Sequence, residues 1–142
     1  MKEKAVQYYK EGYSCSESVL KAAYDEGLIS EHILPVATAF SGGMSSGCLC
    51  GTIAASEIII GAMNGRTDIS QPPDEAKALA KEFVDRFKAK RGATCCRVLT
   101  GKYNFASAER KEHCTGIVND AAEILEGLIE GIAERGGVDV HN

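Results

Sequence analysis

The sequence predicts an all-α protein: one domain over residues 1–142, built as a helical bundle of five main helices plus a short one. Three observations carry this expectation. Apolar residues recur at i, i+3, i+4 and i+7, most clearly at Ala76, Leu79, Ala80, Phe83, Val84 and Phe87. Runs that alternate apolar and polar residues, the mark of a half-buried strand, are almost absent. Glycine, proline and capping residues mostly sit at the ends of the periodic stretches.

The elements follow in order. Residues 2–11 form a helix stopped by Gly12. Ser14 opens the next with a capping box to Glu17, and Val19, Leu20, Ala23 and Tyr24 give it an apolar stripe that ends at Gly27. A helix from Ser30 to about Phe40 contains Pro35, which kinks it or shifts its start. Ser41 to Gly47 is a glycine-rich loop. The helix from about Cys50 to Asn64 is apolar all round, as a central helix should be. Gly65 to Gln71 is a linker, and Pro72, Pro73, Asp74 and Glu75 suit the first turn of the helix that follows. Lys88, Lys90 and Arg91 complement its C-terminal dipole before Gly92. Thr94 caps a short helix, Cys95 to Leu99. The polar stretch 102–112 carries no clear pattern. The last helix runs from about Cys114 to Arg135, with Ile117, Ala121, Ile124, Leu125, Leu128 and Ile132 as its inner stripe. Gly136 and Gly137 stop it, and the residues after them are expected to fray.

Composition narrows the function. There is no Trp, so the core must come from Leu, Ile, Val and Ala. The net charge of −4 and the lack of a long Lys/Arg cluster argue against a nucleic-acid partner. The charged N-terminus lacks the apolar core of a signal peptide. The longest apolar run, Gly51 to Met63, is too short to span a bilayer and is broken by Glu57. A cytoplasmic location is therefore expected. In a reducing compartment six cysteines point to metal binding or redox chemistry rather than to structural disulfides.

The placement of the cysteines is the strongest functional signal. Cys15, Cys50, Cys95, Cys96 and Cys114 fall at or just before expected helix N-termini, and the apolar stripes contain none. A helix N-terminus carries roughly half a positive charge and free N–H donors. Both favour the thiolate, which is the nucleophile and the metal ligand. The expectation is that these cysteines gather at one end of the bundle and that at least one of them has a lowered pKa. Cys50 should ionise more easily than Cys15, which has Glu17 beside it.

Four segments carry a family resemblance. They are GYSCSESVL around Cys15, FSGGMSSGCLCGTIAA around Cys50, CCRVLTG around Cys96 and HCTGIVNDAAEIL around Cys114. Together they resemble the C_GCAxxG_C_C family of redox-active proteins over nearly the full length, and a similar segment ends the split-Soret cytochromes in association with an iron–sulfur cluster. The resemblance implies that Cys15, Cys50, Cys96 and Cys114 are the redox-active thiols and the metal ligands. It also makes Cys96, rather than Cys95, the thiol that faces the site. Ala55 stands where the family has glycine and Thr52 where it has alanine, while Cys48 and Cys95 are extra. Cys48 then reads as a neighbouring, spare or resolving thiol.

Gly42, Gly43, Gly47 and Gly51 are candidate cofactor-contacting residues. The Lys-Ser/Thr ending of a phosphate loop is missing, so these glycines read as allowing close approach to a cofactor or to neighbouring backbone. His113 reads as a solvated residue just outside a helix, His32 and His141 as surface residues, and Glu57 as paired or solvated. Tyr8, Tyr9, Tyr13 and Tyr24 read as packing residues, and the KAKR and ERKEH runs as solvated helix ends. Three functions remain in order. The first is an electron-transfer protein with an iron–sulfur cluster, the second a dithiol/disulfide couple, and the third a structural zinc domain or helical interaction module. The partner implied is an electron donor or acceptor, and a homodimer is an option the sequence leaves open.

Overall fold

The computed structural model describes residues 1–104 and 106–134. The expected stop at Gly136 and Gly137 and the tail with His141 lie outside the described residues. The helices are α1 (Lys2–Glu11), α2 (Cys15–Asp25), α3 (Gly51–Asn64), α4 (Asp74–Arg91), the short α5 (Cys96–Thr100) and α6 (Ala108–Glu134). Among the described residues no strand forms, and the all-α expectation holds. The Pro35 segment is a 3₁₀ helix, Glu31–Phe40, rather than an α-helix. Proline removes an α-type hydrogen bond in mid-helix, and the tighter winding is one way to accommodate it.

Capping chemistry sets the boundaries that matter for the site. Ser14 accepts a hydrogen bond from the Glu17 N–H while the Glu17 carboxylate accepts from the Ser14 N–H, so the expected capping box is formed. Gly12 and Gly92 end α1 and α4 in the left-handed conformation that favours glycine. The largest departure is the start of α6, six residues ahead of the expected one. Ser107 accepts from the Arg110 N–H at 3.1 Å and caps it there.

α3 and α6 form the centre. α3 packs on α2, the 3₁₀ segment, α4 and α6, burying Ile53, Ala55, Ile59 and Ile60. α6 packs on α1, α2, α3 and α4 through Ile117, Val118, Ala121, Leu125 and Leu128. Phe83 and Phe87 of α4 fill the third side. Arg91 and Lys90 at the end of α4 pair with Asp120 of α6, Arg91 at 2.6 Å. No helix among the described residues is long and apolar enough to cross a membrane.

Glu57 is neither paired nor fully solvated, contrary to the sequence expectation. Its Oε1 is buried and has no hydrogen-bond partner among the described residues. Burial raises its carboxyl from 4.5 to about 7. An acid whose pKa is raised on folding ionises first in the unfolded chain. Stability should therefore be full below about pH 4.5 and fall as the pH rises to about 7. Urea unfolding at about pH 5 and about pH 8 measures this. Glu57→Gln should remove the decline and stabilise the protein at the higher pH by on the order of 1 kcal/mol, allowing for solvent screening of a partly exposed group. Identical pH profiles for parent and variant would contradict the assignment.

Candidate functional site

The glycine-rich loop is folded by its backbone. Gly42, Gly43, Met44 and Ser45 are all left-handed, with φ of 62°, 63°, 61° and 54°. For the two non-glycine residues this costs about 1–2 kcal/mol each. The turn brings the Cys48 N–H onto the Gly43 carbonyl at 2.9 Å. The chain then pairs antiparallel with the segment before α5 around a Leu49–Cys95 bridge. The Cys50 N–H donates to Thr94 at 2.8 Å, and the Cys96 N–H to Cys48 at 2.6 Å. The Cys95 thiol donates to the Gly47 carbonyl at 3.0 Å, tying the same two segments together.

Two glycines make this closeness possible. A Cβ on Gly43 would lie 2.6 Å from the Cys48 carbonyl oxygen and 2.8 Å from Cys96 Cβ. A Cβ on Gly51 would lie 2.7 Å from the Phe40 carbonyl oxygen and 2.9 Å from Cys15 Sγ. Gly43 and Gly51 thus answer to neighbouring backbone and thiols. Gly42 reaches the cavity wall.

Cys15, Cys50, Cys96 and Cys114 line one cavity of about 390 Å³. Cys15 is the first residue of α2, Cys50 the N-cap of α3 and Cys96 the first residue of α5. Cys114 departs from the expectation. It lies inside α6, six residues past the first, because that helix starts at Ala108. Cys48 is exposed and is not part of the lining.

The electrostatics also depart from expectation. Burial pushes Cys15 up to about 12, helped by the neighbouring Cys50 sulfur and opposed by a hydrogen bond from the Gly42 N–H. Burial raises Cys50 as well, against the Thr52 hydroxyl at 3.1 Å and the Thr52 and Ile53 amides. These amides favour the thiolate without making a full cap hydrogen bond. Cys114 is raised by burial, against Arg110 and a hydrogen bond from the Tyr9 hydroxyl. A helix terminus contributes about 0.3–1 kcal/mol, less than one pKa unit, whereas burial moves a thiol by several. Desolvation wins, and helix starts alone do not ionise these thiols.

Several site residues escaped the sequence reading. Arg110 and Lys111, expected to be solvated, line the cavity, and Arg110 Nη2 lies 4.0 Å from Cys96 Sγ. Tyr9 of α1 faces Cys114, while Lys111 donates to its carbonyl at 2.9 Å and stands 3.6 Å from its ring centre. The available signal was the i, i+4 spacing of Ala5 and Tyr9, both buried. His113 also departs from its solvated reading. It lies within α6, half-buried against Tyr103, with Nε2 2.9 Å from the Leu99 carbonyl oxygen.

Among the described residues, no three His, Cys, Asp or Glu side chains stand close enough to share one metal ion. Ligands of one zinc ion, about 2.3 Å from it, would lie within about 4 Å of each other. A four-iron cluster takes each of four thiolates on a different iron, and a two-iron cluster takes two on each, so either tolerates a wider ring. Four thiols around a cavity worth about thirteen waters of liquid volume fit that donor set. A family model described as "Putative redox-active protein (C_GCAxxG_C_C)" matches residues 13–128 of the 142. No curated protein and no solved structure gives a match.

Burial orders the thiols by reactivity. In reduced, metal-free protein, iodoacetamide should modify exposed Cys48 first and Cys15 and Cys50 last, as read by mass spectrometry of timed samples. Cys15 should gain speed only well above the ordinary thiol range of about 8.5. Uniform labelling would contradict the buried placement. Gly51→Ala should destabilise the fold by about 1–3 kcal/mol in urea unfolding, since its methyl meets backbone at Phe40.

Proposed function

The chain belongs to the C_GCAxxG_C_C family, and we propose that Cys15, Cys50, Cys96 and Cys114 are its redox-active thiols, ligating an iron–sulfur cluster in the cavity they line. The observation that carries this reading is convergence: four thiols from four helices, the first and last far apart in sequence, line one cavity. Among the described residues no three ligating side chains can share one metal ion, which counts against a single zinc ion.

A cluster would supply one-electron transfer to and from a donor or acceptor protein. The chain's part is to hold the sulfurs and compensate their charge. The Gly42 amide serves Cys15, the Thr52 hydroxyl serves Cys50 and the Tyr9 hydroxyl serves Cys114. Arg110 and Lys111 add positive charge beside the thiols. Hydrogen bonds to sulfur and nearby charge are levers on reduction potential. A dithiol/disulfide couple at the same cysteines is the alternative chemistry, and a zinc site ranks last.

Purification without oxygen tests the reading. The protein should carry iron and acid-labile sulfide and show visible absorption that bleaches on reduction. Cys50→Ser should lose at least most of the iron, whereas Cys48→Ser should keep most of it. A colourless protein that forms one reversible disulfide among the four cysteines would move the assignment to the dithiol couple. Absence of both behaviours would overturn the redox site.

A further inference from the structure

A second cavity, of about 490 Å³, opens on the other side of Cys96. It shares Gly42, Cys96, Thr100 and Arg110 with the thiol cavity and adds Arg97 and the hydroxyl residues Ser41 and Ser45. Two guanidinium groups line it, and none of its lining residues is acidic.

The arginines are held in place. Arg97 Nη2 donates to the Ser46 carbonyl at 3.0 Å. Its chain lies across Gly47, where a Cβ would come within 3.1 Å of Nε. Among the described residues no carboxylate reaches ion-pair distance of Arg97, whereas Arg86, Lys90 and Arg91 are each paired with one. Arg110 Nη2 is directed to Cys96 at 4.0 Å. Gly42 and Ser45 of the lining belong to the left-handed turn, where Met44 and Ser45 hold a conformation that non-glycine residues avoid. Such strain concentrates at ligand sites.

Charge distribution points the same way. Residues 86–111 contain eight of the sixteen Lys and Arg residues and one acidic residue, Glu109, in a chain with a net charge of −4. Positive charge is therefore concentrated around α5 and the start of α6, where local fields attract anions.

We propose that this second cavity binds a small oxyanion, a carboxylate or phosphate group, between Arg97 and Arg110 and against Cys96. Arginine presents planar paired donors that match two oxygens of such a group. The Thr100 and Ser41 hydroxyls each spend their single proton on a backbone carbonyl, of Cys96 at 2.7 Å and of Thr38 at 2.9 Å, whereas a guanidinium carries five N–H donors and a fixed positive charge. The inference rests on the redox reading only in making Cys96 the group the anion meets. Binding itself does not require a loaded site.

Calorimetric titration of the reduced full-length protein with inorganic phosphate, with succinate and with chloride tests it, and iron content is measured separately on the same preparations. Phosphate or succinate should bind saturably at one site, and chloride should not. The stronger of the two oxyanions identifies the phosphate or carboxylate source. Arg97→Gln and Arg110→Gln should each weaken that binding about tenfold or more, as expected for loss of a charge-assisted pair. Lys88→Gln, outside both cavities, should leave it unchanged. Absence of saturable binding, or binding insensitive to Arg97→Gln, would overturn the proposal. Loss of iron with retained anion binding would count against the cluster alone.

Discussion

The site depends on one close backbone approach. The segment that carries Cys50 lies directly against the one that carries Cys96, joined by the Cys50–Thr94 and Cys96–Cys48 hydrogen bonds. A side chain at Gly43 would push the two apart, and one at Gly51 would push α3 off Cys15 and Phe40. With both positions bare, the N-terminal ends of α2, α3 and α5 converge on one cavity. The strain at Met44 and Ser45 is the conformational cost of turning the chain tightly enough to make that approach.

Convergence creates an electrostatic problem that the helix termini do not solve. Cys15, Cys50 and Cys114 are moved towards their neutral forms chiefly by loss of water. Individual donors oppose this: an amide at Cys15, a hydroxyl and two amides at Cys50, and a phenol and an arginine at Cys114. None reverses it. Cys15, Cys50 and Cys114 therefore sit in the cavity with donors aimed at them but too little positive charge to offset the loss of water.

Much of the fold was legible because it rests on periodicity and caps. α1, α2, α3, α4 and α5 begin within about two residues of their expected positions, a normal scatter for helix ends. The missed start of α6 is instructive. Its first turn carries Ala108, Glu109 and Arg110 with no apolar stripe, so periodicity was silent. The Ser107 cap with Glu109 in the first turn was the available signal. That error moved Cys114 from a helix start into a helix, and it hid Arg110 and Lys111, which turn towards the thiols because they belong to the same helix. The identity of the four cavity thiols was legible from the family resemblance, which set Cys96 ahead of Cys95. Their protonation was not, because burial is a property of the packed core and dominates over local sequence position.

α1 shows how far the site extends beyond the family pattern. The matched region begins at residue 13, so α1 lies before it. Yet Tyr9 of α1 gives a hydrogen bond to Cys114, and Lys111 clamps Tyr9 through both its carbonyl and its ring. α1 is in turn fastened to α6 by Lys2 and Glu123 at 2.5 Å. The helix that carries Cys114 therefore also orients the phenol that serves it, through a contact on either side of Tyr9. A helix outside the cysteine pattern thus reaches the sulfur most distant in sequence. The cysteines supply the sulfurs, while residues of other elements set the polarity around them. For buried sulfur ligands that polarity is a principal control on potential.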